Sequence, residues 1–267
     1  MNTALYHGAS LLPWLIISAF FAAALWETIA PERPFKLSQR RRWSQQAGLF
    51  ATGTLLSRLC LPIGSLAVAS WSQHAQWGLW NALGLPAGLT LVAALLSLDL
   101  GNYLSHRLFH HVPLLWRLHQ IHHSDLEVDC GTAIRHHPVE QLIGNLLFIL
   151  QVFLLGPPVA ALLLYTMITA LVEVMHHANV AIPRRANAAL RRVLVTPDLH
   201  RIHHSLDPAD ADRNFASIFP WWDRLFGTFT TSPARGTAAL RFGIDGLQRP
   251  DEMSLPALLL HPLRRNA

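Results

Sequence analysis

Four apolar runs, separated by short polar connectors, constrain this chain more than any other feature: Leu11 to Ala30, Ala47 to Trp71, Leu79 to Tyr103, and Leu142 to Met175. About 20 consecutive apolar residues suffice to cross the hydrocarbon of a bilayer. There each backbone N–H and C=O must be paired within the protein, which for such runs means a helix. The last run is too long for one helix. Gly156, Pro157 and Pro158 interrupt it near the middle, and a residue preceding proline disfavours helix, so the run predicts a hairpin of two short helices. No Lys or Arg precedes Leu11. The first run therefore lacks the basic start of a signal peptide and is read as a retained span. The expected fold class is all-α, an integral-membrane helical bundle. Composition agrees: 51% of residues are hydrophobic and 14% charged, against roughly a quarter charged in soluble domains.

Charge placement gives the expected orientation. Arg33, Lys36, Arg40, Arg41 and Arg42 cluster between the first two runs, which places that connector in the cytoplasm by the positive-inside rule. Trp26 and Trp43 flank it, while Trp71, Trp77 and Trp80 mark the opposite interface. Arg58 lies inside the second run, close to Pro62; an arginine at mid-span costs roughly 2.5–3.5 kcal/mol on insertion scales. The net charge of +5 is dispersed and accompanies no recognised binding motif, which argues against a nucleic-acid partner. The two cysteines, Cys60 and Cys130, form no Cys-x-x-Cys, so neither a disulfide nor a thiolate zinc site is expected. Lys36 is the only lysine; with so many Arg, Ala and Leu this suggests a GC-rich bacterial genome and hence an inner membrane. Three regions are expected: a membrane-spanning part over 1–98, a histidine-rich catalytic part over 99–237 with its hairpin near 142–175, and a tail over 238–267 without readable chemistry.

Of 16 histidines, all but His7, His74 and His261 fall between His106 and His204. The first cluster reads His106-Arg-Leu-Phe-His110-His111; residues four apart share a helix face, so His106 and His110 can serve one metal. Asp99, two turns earlier on the same side, is a candidate to orient one of their rings. The second, His119-Gln-Ile-His122-His123, and the third, His200-Arg-Ile-His203-His204, share one spacing. There His122 and His123 can splay toward two metals while His119 joins one of them. Two doublets, His136-His137 before Pro138 and Glu140, and His176-His177, each offer one ligand and one neighbour. A structural metal takes about four ligands, so eight or more converging imidazoles imply two metals. All the clusters fall at the cytoplasmic ends of the spans or in cytoplasmic segments, giving a histidine-rich helical cap that holds a di-metal site. A histidine-rich metal transporter is the rival class. Transporter sites, however, sit near the bilayer midplane. A zinc hydrolase would carry His-Glu-x-x-His, which is absent.

These three boxes in this order, with Trp116 before the second, Thr196-Pro197-Asp198 before the third and Trp222-Asp223-Arg224-Leu225-Phe226-Gly227-Thr228 closing the region, resemble the fatty acid hydroxylase and sterol desaturase superfamily. The resemblance runs from about Leu98 to Thr228. It implies a membrane-bound di-iron oxidoreductase that uses O2 and an external electron donor (a cytochrome, ferredoxin or reductase) to hydroxylate or desaturate a fatty acyl or sterol-like lipid drawn from the bilayer. Carried over residue by residue, it implies catalytic metal ligation by His106, His110, His119, His122, His123, His177, His200, His203 and His204. His137 matches the family's His-Pro-x-Glu position and joins them as a metal ligand. This sequence departs from the pattern twice. Glu173 stands where some members have a histidine, making it either a carboxylate ligand, an acceptor behind one, or a sign of one ligand fewer. Asn214-Phe215-Ala216 replaces a frequent Asn-Tyr-Gly.

Overall fold

The structure is a computed structural model and describes residues 3–264. It is all-helical, and among the described residues β-pairing is limited to isolated bridges. The long elements are α1 (Thr3–Ile29), α2 (Gln39–Cys60), α3 (Ser65–Ala75), α4 (Leu79–Leu83), α5 (Ala87–His111), α6 (Pro113–His123), α7 (Pro138–Leu155) and α8 (Val159–His177). Five segments are long and apolar enough to cross a membrane: Ser10–Ile29, Gln39–Leu83, Ala87–His111, Pro138–Leu155 and Val159–His177. The protein is a multi-pass membrane protein.

The helices turn apolar side chains outward, as lipid-facing surfaces require, and the interior mixes polar stripes with an apolar cluster of Ala69, Leu98, Val152 and Leu162. On α2 the buried positions are Arg42, Gln45, Gln46, Leu49, Gly53 and Ser57, a stripe at helical spacing, whereas Phe50, Leu55 and Leu59 are exposed. On α7 Leu146, Leu150 and Leu154 likewise face outward. Polar side chains link the spans inside: Asn145 Nδ2 donates to Ser57 Oγ (3.0 Å), and Gln151 Nε2 donates to Ser97 O (2.8 Å).

Proline and glycine set the boundaries. The second apolar run is not one helix: α2 stops at Cys60, and α3 starts at Ser65 after Pro62, which cannot donate a helical hydrogen bond. The hairpin breaks as expected at Gly156–Pro158, with Gly156 left-handed (φ 58°). Its tip packs on the α3–α4 connector so closely that a Cβ on Gly156 would lie 2.1 Å from Trp77 O, and one on Gly78 (φ 98°) 2.5 Å from Gly156 N. Only glycine fits at either place. Trp71, Trp77 and Phe153 cluster around the same tip.

At the opposite end the spans converge on the histidine clusters. Val112 precedes Pro113 and is extended (φ −91°, ψ 114°), so α5 ends there and α6 turns back across its last turn. The loop after α6 is bound to the start of α2 by Arg42, whose guanidinium pairs with Asp125 (2.9 Å) and Asp129 (2.6 Å). Past α8 come the short helices α9 (Arg184–Leu190), α10 (Pro197–His203), α11 (Pro208–Ala211) and α12 (Trp221–Leu225), and in the tail α13 (Leu255–Leu260). The tail packs Ile244, Leu247, Met253 and Leu258 against Leu49 of α2 and Ile121 of α6.

Candidate metal centre

Nine imidazoles form two adjoining nests. The first joins His106 and His110 of α5, His119 and His123 of α6, and His203 of α10; within it the possible ligand atoms all lie within 4.8 Å of one another. The second joins His122 of α6, His177 of α8, His200 of α10 and His204 just after it, to the same tolerance. The i, i+3, i+4 spacing on α6 delivers His119 and His123 to one nest and His122 to the other. The same spacing at α10 sends His203 to the first and His200 and His204 to the second.

Neighbouring Nε2 atoms are 2.9–3.3 Å apart: His106–His119 3.2 Å, His203–His106 3.1 Å, His200–His177 2.9 Å, His204–His177 3.2 Å, His204–His200 3.1 Å and His177–His122 3.3 Å. Donors around one metal at about 2.1 Å stand roughly 3.0–3.4 Å apart in octahedral or tetrahedral arrangements. Hydrogen bonding between the rings does not explain the His106–His119 and His106–His203 spacings, because the Nδ1 of all three rings is already engaged. His106 Nδ1 donates to Phe215 O (2.7 Å), His203 Nδ1 to Arg213 O (2.8 Å), His119 Nδ1 to Glu140 Oε1 (2.7 Å) and His177 Nδ1 to Glu173 O (2.8 Å). Each of those rings, if neutral, then presents a lone pair at Nε2. Lone pairs facing one another near 3 Å repel unless a cation lies between them. His110 Nε2 and His123 Nε2, both buried in the first nest, have no hydrogen-bond partner. The residues present therefore fit a pair of metal ions.

Electrostatics agree. Burial pushes His122, His123, His200, His203 and His204 well below the ordinary histidine value, and neighbouring imidazoles push further the same way. These rings are neutral at pH 7, the form that binds metal. His136 goes the other way: burial, the largest single influence, opposes its protonation, but the charge and hydrogen bond of Glu140, with Glu173 and the Ala133 backbone, together raise it.

The structure places the remaining sequence candidates as follows. His137 is not brought to either nest. It caps α7, accepting from Val139 N (3.2 Å), and its Nε2 meets Leu259 O of the tail (3.1 Å). Its neighbour His136 is the ring beside the site, stacked on His122 (centroids 4.5 Å, 6°) and donating to Glu140 Oε1 (2.8 Å). Asp99 does not orient an imidazole; its carboxylate accepts Trp222 Nε1 (2.8 Å) and Phe219 N (3.2 Å), binding α5 to α12. The Glu173 side chain lines the adjoining cavity, and it is its backbone oxygen that holds His177.

Sequence reasoning missed two supports. Glu140 accepts from His119 and His136 at once. Asp223, in the closing motif, accepts from Phe215 N (2.8 Å) and Ala216 N (3.1 Å), fixing the segment whose carbonyls hold His106 and His203. A carboxylate three residues after a histidine doublet, and an aspartate following two tryptophans, were the available signals. A cavity of about 390 Å³ reaches from His106, His122 and His177 up between α5, α7 and α8, past Glu173, Phe148 and Tyr165.

Fold and site together define a helical membrane protein with two adjoining histidine nests, fit to hold metal, at one end of its bundle. The chain belongs to the fatty acid hydroxylase family, whose model matches residues 91–228. It is similar to the alkylglycerol monooxygenase of Danio rerio, with 34% identity over 155 residues (57% of this chain, 34% of the relative). It is similar also to the ornithine lipid hydroxylase OlsE of Rhizobium tropici, with 32% identity over 178 residues (65% and 50%), and to human alkylglycerol monooxygenase, with 31% over 155 residues (57% and 34%). The chain spans between a third and a half of the length of these curated relatives. No solved structure matches it.

Proposed function

We propose that this protein is an O2-dependent, di-iron lipid hydroxylase. Supporting the reading above all is one observation: two nests of neutral, mutually facing imidazoles form the floor of a cavity that rises between membrane spans. The relatives named above are, by their names, a monooxygenase of alkylglycerols and a hydroxylase of ornithine lipids, both amphiphiles. Hydroxylation is accordingly preferred over desaturation. We place the histidine end in the cytoplasm on the strength of the basic connector between α1 and α2, and assign reducing electrons to a separate donor protein.

His106, His110, His119, His123 and His203 would hold one iron, and His122, His177, His200 and His204 the other. The irons would supply O2 activation and removal of hydrogen from an unactivated C–H bond. The chain's own residues bind, orient and seal. Glu140 keeps the Nδ1 proton on His119 and so directs its Nε2 lone pair into the first nest. His136 and Glu140 share a proton at the cavity wall, where it can be passed toward the reacting end of the substrate. Phe109, Phe148 and Ala170 exclude water, while Asn102 and Tyr165 present polar atoms to an amphiphile. Residues 1–98 act in this reading as the membrane frame, 99–237 as the catalytic region and 238–267 as its cover.

The test is elemental analysis of the purified protein, with mass spectrometry of lipids from cells expressing it. About two irons per chain, by the ligand arithmetic above, and a lipid heavier by one oxygen are expected. His203→Ala should abolish the product while the protein still inserts. No iron and no lipid product would move the reading to a metal transporter.

A further inference from the structure

A second cavity, of about 260 Å³, opens at the break between α2 and α3, with Thr54, Ser57, Arg58, Ser65, Gln141 and Asn145 in its lining. Gln141, Asn145 and Phe148 stand in its wall and also in the wall of the histidine cavity. One layer of side chains separates the two spaces.

Arg58 is the unexplained member. It sits in an apolar segment, and its exposed neighbours Leu55, Leu59 and Ile63 mark a lipid-facing surface. Among the described residues it has neither a carboxylate partner nor a hydrogen bond. An ionised group in a span is costly and calls for a partner. Snorkelling to an interface would remove the cost, but Arg58 is not level with the end of the neighbouring helix. Ser57 bonds Asn145, seven residues into α7, or about 10 Å from its start. The surrounding wall carries three hydroxyls and two amides, of which Gln141 pairs with Thr54 and Asn145 with Ser57 across the spans, leaving the Arg58 guanidinium as its one charged and unpaired group among the described residues.

Resting on the lipid-oxidising reading above, we infer that this second cavity binds the anionic head group, phosphate or carboxylate, of a membrane lipid at Arg58. The adjoining carbons then pass Phe148 to reach the histidines. The guanidinium fork suits either anion in a two-point hydrogen bond, and Thr54, Ser57 and Asn145 supply further polar contacts. Because the cavity opens on the apolar surface, the anion arrives as part of a lipid and not as free phosphate. From Asn145 back to Glu140, which holds His119, is five residues, or about 7.5 Å along α7. The carbon attacked is therefore close to the polar end of the substrate, not at the far end of an acyl chain.

The experiment counts lipids on metal-stripped protein, so it decides the Arg58 site whether or not the histidines hold iron. Wild type and variants are placed in phosphatidylcholine nanodiscs containing some phosphatidylglycerol, and retained lipid is read by native mass spectrometry. Wild type and Arg58→Lys should retain phosphatidylglycerol in preference to phosphatidylcholine. Arg58→Gln should lose that retention by at least about tenfold, as expected for one charge-assisted pair. Gly64→Phe should lose it equally without a change in charge: Gly64 stands in the cavity lining, and a Cβ there meets nothing within 4 Å. Retention by Arg58→Gln equal to wild type, or displacement of the lipid by millimolar inorganic phosphate, would overturn the proposal.

Discussion

The Nε2 atoms of His106 and His203 face each other across 3.1 Å while the Nδ1 of each ring is committed to a backbone carbonyl. That arrangement is repulsive without a cation. Stripping metal with a chelator should lower the melting temperature, and restoring iron should raise it. At a thousand times the dissociation constant the stabilisation is about 4 kcal/mol. Identical melting of stripped and loaded protein in detergent would contradict the metal assignment.

Glu140→Gln keeps the shape of the carboxylate but loses the charge that faces His119 and His136, and its amide nitrogen cannot replace the oxygen that accepts from His137 N. Metal affinity should fall by about 10–100-fold, the usual effect of removing a carboxylate behind a ligand histidine. Titration of the stripped variant with iron measures this, and wild-type affinity would rule out the role given to Glu140.

His204→Ala leaves the second nest with three imidazoles, and bound metal should drop by about half, because a closed site needs about four ligands. His137→Ala, which removes a helix cap facing the tail, should leave metal content unchanged. Elemental analysis separates the two variants, and metal loss in His137→Ala would return that residue to the ligand set.

Asp223→Asn replaces an oxygen by an amide group that cannot accept, so at least one of Phe215 N, Ala216 N and Thr228 Oγ1 loses its acceptor. About 1–3 kcal/mol of stability should go with it. Metal loss should concentrate in the first nest, since Phe215 and Arg213 position His106 and His203. A variant that melts and binds metal like wild type would refute the connection.

Cys130 should resist alkylation. Burial raises its thiol far above the ordinary value, and the carboxylate of Glu27, which accepts from both its Sγ and its backbone N–H, raises it further. A raised value means less thiolate, the reactive form. In the folded protein at pH 8 a maleimide should leave Cys130 unlabelled, with reaction there only after denaturation. Peptide mapping reads the outcome directly.

The spans were legible because apolar length is a local property, and so was the hairpin, because Gly156-Pro157-Pro158 is a local stop. The break at Pro62 was harder to read, since both flanking segments are equally apolar. Convergence of the boxes followed from their spacing, but their division into nests depends on how α10 lies against α5, α6 and α8. Sequence alone could not choose between His136 and His137, because the choice turns on which ring caps α7. The partner of Asp99 was hidden for a similar reason: Trp222 lies 123 positions away. The tail showed no periodic pattern, yet it packs against α2 and α6 through scattered apolar residues.

Both nests draw on α10, the first through His203 and the second through His200 and His204. On the ribosome neither nest can be completed until translation has passed residue 204, and every candidate span precedes that point in the chain. A chain interrupted before α10 would thus carry all five candidate spans and neither complete nest.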